Sequence, residues 1–177
     1  CLATSGPGAT NMVTGIMTAH MDSVPMIAIT GQVRSNLLGR DAFQETDTVG
    51  ITMPITKCNY LIQNIKEIPR VVKEAYYIAT TGRPGPVLID IPNDIQVHQI
   101  PYEEFERLFD EKIELEGYSP TYEGHQGQIK RAIKLIKEAK KPLIIAGAGV
   151  LKSKASKELF EYAEKTQTPV ATTLLGL

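Results

Sequence analysis

Three short apolar runs rich in β-branched residues punctuate the chain: MIAIT at 26–30, PVLIDI at 86–91 and PLIIAGAG at 142–149. Runs of this kind suit strands buried on both faces, the condition of a parallel sheet. Parallel neighbours need long crossovers, normally helical. The chain supplies them. Val72, Ala75, Tyr76 and Ala79 fall at helical spacing, with Pro69 near the start and Gly82 just past the end, as helix punctuation prefers. Thr10–Met21 reads as a second helix and Ile55–Gln63 as a third strand. Further on, Ile129, Ala132, Ile133, Ile136 and Ala139 make one apolar face, and Lys130, Lys134, Lys137 and Lys141 lie largely outside it. After the 142–149 run come a helix carrying Ala155, Leu159, Tyr162 and Ala163, then PVATT at 169–173. The rhythm is βαβ, so the expected class is α/β with a parallel sheet in each of two domains, the second truncated.

Charge separates those domains. Residues 94–124 carry a net −7 and residues 125–165 a net +6, although the whole chain sums to −1. The acidic stretch holds Pro101, Gly117, Pro120 and Gly124 and reads as a linker, 93–124, with a short helix at Tyr102–Asp110. Residues 1–92 and 125–177 are the expected folded units. A near-neutral chain excludes nucleic-acid binding through a general basic field. No apolar run approaches the roughly 20 residues of a membrane span. Cys1 and Cys58 are too few for a disulfide scaffold and fit a reducing compartment such as the cytoplasm. The chain starts and stops beside strand-like sequence, so a piece of a longer polypeptide is expected.

Two glycine-rich turns are the first candidate sites. Ser5–Asn11, SGPGATN, follows a strand and opens a helix. Its glycines allow close backbone approach to a ligand, but spacing alone favours a tight turn capped by Thr10 or Asn11. No Lys-Ser/Thr follows Gly8, so it is not a phosphate loop of the Walker type. Gly147-Ala148-Gly149 is half of a dinucleotide fingerprint, with an ordinary strand–helix turn as the competing reading. Thr172, Thr173 and Leu174 end the next strand, on the edge where ligands of open parallel sheets bind. Between Gly31 and Glu45 runs a polar loop long enough to be functional, in which Phe43 and Gln44 offer a ring and an amide. Asp41 as the cap of a short helix is the plainer alternative. Lys57 stands out as a cation in a strand-like segment, needing a partner or solvent. His20, His98 and His125 are scattered without metal-ligand spacing.

The strings LATSGPGATN, DSVPMIAITGQV, GRDAFQETDTVGIT and GRPGPVLIDIPNDI resemble the acetolactate synthase (acetohydroxyacid synthase) large subunits. SGPGATN and GRPGPV are shared by many thiamine-diphosphate enzymes; the stretch from Gly31 to Ile51 is more specific. KKPLIIAGAGV and TPVATTLLGL are similar to the opening of that family's central domain. The resemblance implies that 1–92 is the rear part of a pyrimidine-binding domain and that 125–177 begins a Rossmann-like, FAD-binding domain. It implies condensation of two pyruvates to 2-acetolactate with loss of CO2, or of pyruvate with 2-oxobutyrate to 2-aceto-2-hydroxybutyrate, on the route to valine, leucine and isoleucine.

The resemblance further implies thiamine diphosphate, Mg²⁺ held through another domain, and FAD. Gly6, Pro7, Gly8 and Gln44 match positions at thiamine diphosphate. Gly147, Ala148, Gly149, Thr173 and Leu174 match positions at the flavin. Ser23, Arg34, Phe43 and Lys57 match the substrate channel. The family's catalytic glutamate falls upstream of Cys1, so no catalytic residue and no metal ligand is assigned here, and these residues alone are expected to show no turnover. Assembly as a homodimer or larger is implied, with room for a regulatory small subunit. Arg34, where the family commonly has Pro after GQV, and Cys58, where it commonly has His, bear on specificity more than on the reaction. Another thiamine-diphosphate decarboxylase, oxidase or carboligase, and a non-catalytic flavin- or nucleotide-binding module, remain the alternatives.

Overall fold

The structure, a computed structural model, describes residues 1–177. It divides into two compact units, Cys1–Tyr122 and Glu123–Leu177. In the first, strands β1 (Leu2–Ala3), β2 (Met26–Gln32), β3 (Cys58–Leu61) and β4 (Pro86–Pro92) form one parallel sheet in the order β1-β2-β4-β3. β2 and β4 pair along their full length, from Met26 opposite Pro86 to Gln32 opposite Pro92. β3 is shorter than its apolar run, because a 3₁₀ turn at Met53–Ile55 occupies the start.

Helices cover both faces of the sheet, which is why the strands are nearly continuous apolar runs. On one face Val87 and Ile89 of β4 pack with Ile62 and with Val71, Ala75, Ile78 and Ala79 of α4 (Ile68–Thr80). On the other, Leu88 and Ala28 pack with Ile16 of α2 (Val13–Met21) and with Val49 of α3 (Thr48–Thr52). Pro69 lies in the first turn of α4, and Gly82 just past its end takes φ +59°. The helix expected over Thr10–Met21 is instead two. α1 (Pro7–Asn11) starts earlier because Pro7 is preset for a first helical turn. At Met12 the N–H reaches back three residues to Ala9 O, a local tightening that separates α1 from α2.

The acidic segment is more than a tether. It forms α5 (Asn93–Val97) and α6 (Tyr102–Asp110), and it belongs to the first unit as far as Tyr122. Leu115 and Tyr118 pack on the α4 side of the core, and the Tyr118 ring meets Tyr77 edge-on at 6.0 Å. Composition weights the carboxylates that face water and misses these few inward side chains. Lys73 Nζ donates to the carbonyls of Phe109 and Glu111, and Lys66 pairs with Glu104 at 2.7 Å.

In the second unit α7 (Gln126–Glu138), α8 (Ala148–Lys152) and α9 (Ser156–Thr166) accompany a parallel pair, β5 (Ile144–Ala146) and β6 (Val170–Thr172). Ile145 and Leu143 are exposed. No helix of the chain is long and apolar enough to cross a membrane.

Candidate functional site

The carboxyl ends of β1, β2 and β4 open on a cleft of about 700 Å³, lined in part by Thr4, Ser5, Gln32, Arg34, Asn93 and Gln96. It is the edge at which ligands of open parallel sheets bind. Beside it Gly6 adopts φ +57°, ψ −115°, the mirror image of the extended region and open only to glycine. A Cβ at Gly6 would lie 2.7 Å from Gln44 O and 3.0 Å from Gln44 Cα. The turn after β1 and the loop after β2 therefore touch backbone to backbone. Gln44 itself has φ +59°, an uncommon conformation for a residue with a side chain. Phe43 beside it is 90% exposed.

Side chains hold this loop in place. The Glu45 carboxylate accepts N–H bonds from Gly39, Arg40 and, at 2.8 Å, Ala42. Asp94 accepts from Ser35 N–H at 2.9 Å and from its hydroxyl at 3.1 Å. Asp47, rather than Asp41, caps the helix that follows, accepting from Gly50 N–H at 2.8 Å. The N–H groups of Ala42 and Gly39 hold the Glu45 carboxyl below the ordinary carboxylate range. A lowered pKa in the folded state means that Glu45 contributes stability above the ordinary carboxylate pKa and loses it as pH falls through the depressed value. Glu45→Gln is expected to remove that acid dependence. Melting temperature followed from neutral to acid pH checks it, and parallel curves for the two proteins would refute it.

Beneath the loop lies a buried polar group set. Asp90 Oδ1 accepts the Thr30 hydroxyl at 2.7 Å, and Asp90 Oδ2 accepts Gln32 Nε2 at 2.9 Å. All three residues are at most 5% exposed. Burial pushes the Asp90 carboxyl above the usual carboxylate range, against the opposing pull of the Thr30 and Gln32 hydrogen bonds. Nothing in the sequence pattern singles out Gln32, Asn93 or Gln96. Asp90 did carry a signal: a carboxylate inside the run PVLIDI must have partners.

Ser23 and Lys57 lie elsewhere. Both precede their strands and so sit at the amino edge of the sheet, across the length of β4, roughly 20 Å by the usual rise per residue. Arg83 Nε donates to Ser23 Oγ at 2.7 Å, and Arg83 Nη2 donates to the carbonyls of His20 and Met21. Lys57 Nζ donates to Ile78 O, to Thr81 O at 2.7 Å and to Tyr118 Oη at 3.0 Å. It caps the carboxyl end of α4, where cations are favoured. The structure thus keeps Ser23 and Lys57 apart from Arg34 and Phe43. Lys57→Met is expected to destabilise the fold by about 1–2 kcal/mol, readable as a lower denaturant midpoint. An unchanged midpoint would refute the capping role.

In the second unit, the Gly147–Gly149 turn meets the end of β6. Thr173 N–H donates to Ala146 O at 2.9 Å. A Cβ at Gly147 would lie 3.6 Å from Thr173 Oγ1, and one at Gly149 would meet nothing within 4 Å. Gly147, Ala148, Gly149, Thr173 and Leu174 are therefore gathered at one carboxyl edge, with open space over Gly149. No group of three or more His, Cys, Asp or Glu side chains is placed to hold a metal ion.

Residues 1–51 match the N-terminal TPP-binding domain of thiamine pyrophosphate enzymes, and residues 129–177 match the central domain of the same enzymes. The acetolactate synthase large subunit of Corynebacterium glutamicum is 54% identical over 177 residues, all of this chain and 28% of that protein. The probable acetolactate synthase large subunit of Methanocaldococcus jannaschii is 54% identical over 176 residues, 99% of this chain and 29% of its own length. The acetolactate synthase large subunit of Haemophilus influenzae is 48% identical over 178 residues, 99% of this chain and 30% of its own length. The chain spans under a third of the length of these relatives.

Proposed function

Given that the chain belongs to the thiamine pyrophosphate enzymes, within the acetolactate synthase large-subunit family, we propose that it is part of the catalytic subunit of an acetolactate synthase. The reaction is condensation of two pyruvates to 2-acetolactate and CO2, or of pyruvate with 2-oxobutyrate to 2-aceto-2-hydroxybutyrate, in branched-chain amino-acid biosynthesis. The observation that carries this reading is identity near 50% over the whole chain.

The residues present fit the cofactors. Gly6, Pro7 and Gly8 present bare backbone at a close approach, and Gln44 adds an amide there; these would hold the pyrimidine end of thiamine diphosphate. The cofactor, when bound, supplies the electron sink for loss of CO2 from a 2-oxo acid. Gly147, Ala148, Gly149, Thr173 and Leu174 would hold FAD, and the open space at Gly149 admits a ligand against backbone. Mg²⁺ would be bound by residues outside this chain. Arg34 lines the cleft and offers a cation to a 2-oxo-acid carboxylate, and Phe43, 90% exposed, would supply an apolar wall to a substrate beside Gln44. Ser23 and Lys57, matched to the channel by the resemblance, hydrogen-bond within this chain at the amino edge. Two copies of the full subunit would share the site, and the large-subunit names of the relatives leave a place for a regulatory small subunit. The cysteines are unpaired, in keeping with the cytoplasm.

The test is product identification with the full reading frame that encodes these residues, supplied with pyruvate, thiamine diphosphate, Mg²⁺ and FAD. Acetolactate supports the reading; acetaldehyde or acetate as the sole product overturns it. The 177 residues alone are expected to form none, because the resemblance assigns the catalytic glutamate and the Mg²⁺ ligands to positions outside this chain. Turnover by the isolated piece would refute that expectation.

A further inference from the structure

We propose that Gln32 is a positioning residue, a two-ended clamp that fixes the backbone of the 33–46 loop and so sets Gln44 against Gly6. The inference rests on the reading of Gln44 as a thiamine-diphosphate contact. Gln32 ends β2 and is 5% exposed. Its Nε2 donates to Thr46 O at 2.7 Å and to Asp90 Oδ2 at 2.9 Å, and its Oε1 accepts Val33 N–H at 2.8 Å. Both amide hydrogens and the amide oxygen are therefore used. The orientation of the amide is dictated by its partners, since a carbonyl and a carboxylate can only accept and Val33 N–H can only donate. Asp90 is itself held by Thr30, so the clamp is anchored in the centre of the sheet.

The two ends that Gln32 grips are the first residue of the loop and Thr46, two residues beyond Gln44. Between them the chain must carry positive φ at Asp41 and at Gln44. Such conformations persist where the surroundings over-determine them. Glu45 organises the loop internally through Gly39, Arg40 and Ala42, but those bonds are local to the loop and do not tie it to the sheet. Gln32 does. A glutamate at position 32 keeps an acceptor for Val33, has no donor for Thr46 O when ionised, and faces Asp90 with a like charge. An apolar isostere loses all three bonds.

The experiment is a thiamine diphosphate titration of the full-length enzyme, with melting temperature measured in parallel. Gln32→Met and Gln32→Glu are expected to weaken thiamine diphosphate binding about tenfold, the ratio for a loop that holds the required geometry about a tenth of the time. The double variant Gln32→Met/Asp90→Leu removes the orphaned carboxylate, so it remains foldable if the single variants are not, and it is expected to show the same loss of affinity. Val71→Ala, a core change in α4 on the opposite face of the sheet, is expected to lower the melting temperature with cofactor affinity unchanged. Gln32 variants that behave like Val71→Ala, melting lower but binding thiamine diphosphate normally, overturn the proposal. Gln44→Ala separates the two levels. If it weakens binding and the Gln32 variants do not, the clamp is wrong and the cofactor reading stands. If Gln44→Ala itself binds normally, the cofactor reading of Gln44 fails and the clamp falls with it.

Discussion

On the function proposed above, Gly6→Ala is expected to cost the full-length protein at least about 100-fold in acetolactate formation, the scale of a displacement near 1 Å at a reacting centre. Two independent effects converge on this one methyl group. The backbone at Gly6, φ +57° and ψ −115°, lies where side chains are excluded, so alanine must rotate the turn between β1 and α1. The added Cβ would also stand 2.7 Å from the carbonyl oxygen of Gln44, with Gln44 Cα and Cβ each at 3.0 Å. Neighbouring backbone cannot swing aside as the tip of a flexible side chain can. The loop is tied by Gln32 at 2.7 Å to Thr46 O and by Asp94 at 2.9 Å to Ser35 N–H, so the strain has no cheap outlet. Steady-state rates at saturating pyruvate and thiamine diphosphate are the measurement. A loss of less than about fivefold would mean that the turn yields without disturbing the site, contrary to the rigidity that these contacts describe.

The largest effect on stability is expected at Leu88. It is fully buried in β4, a strand with neighbours on both sides, and packs with Ile16 and Ala28. Leu88→Ala removes most of an apolar side chain and leaves a void that close-packed neighbours fill only in part, at a cost of about 3–5 kcal/mol. The matched control is Leu143→Ala in the second unit, 58% exposed, expected to shift stability by no more than about 0.5 kcal/mol. Denaturant midpoints of the two variants against the parent decide the matter. Equal midpoints would sink the assignment of the core to this face of β4.

Much of the fold was legible because apolar periodicity and glycine–proline punctuation are local properties. The strand at 26–30, the strand at 86–91, the helix around Ala75 with Pro69 and Gly82 at its ends, and the helix at Tyr102–Asp110 all follow from side chains within a few residues of one another. The candidate loop 31–45 and the turn at Gly6 were visible for the same reason. Their contact was not. Gly6 and Gln44 are 38 positions apart, and nothing in either segment states that a glycine there is required by the other's carbonyl. Residues 93–122 show the converse failure: an acidic composition conceals Leu115 and Tyr118, which tie the segment to the first unit.

Lys57 marks the boundary between the two kinds of knowledge. That a cation in a strand-like run needs a partner follows from the cost of desolvating an ammonium group. Which partner it finds depends on β3 lying beside β4, which brings the carboxyl end of α4 and Tyr118 within reach of Nζ. Asp90 obeys the same division, its need for donors readable in PVLIDI and their identity set by the register that places Thr30 opposite it. The sequence by itself determined the α/β class and the glycine-rich turns, because each is encoded in short-range pattern. Only the tertiary structure decided that Ser23 and Lys57 lie at one edge of the sheet and Gly6, Arg34 and Gln44 at the other, because strand direction and order are properties of the assembled sheet and are carried by no single segment.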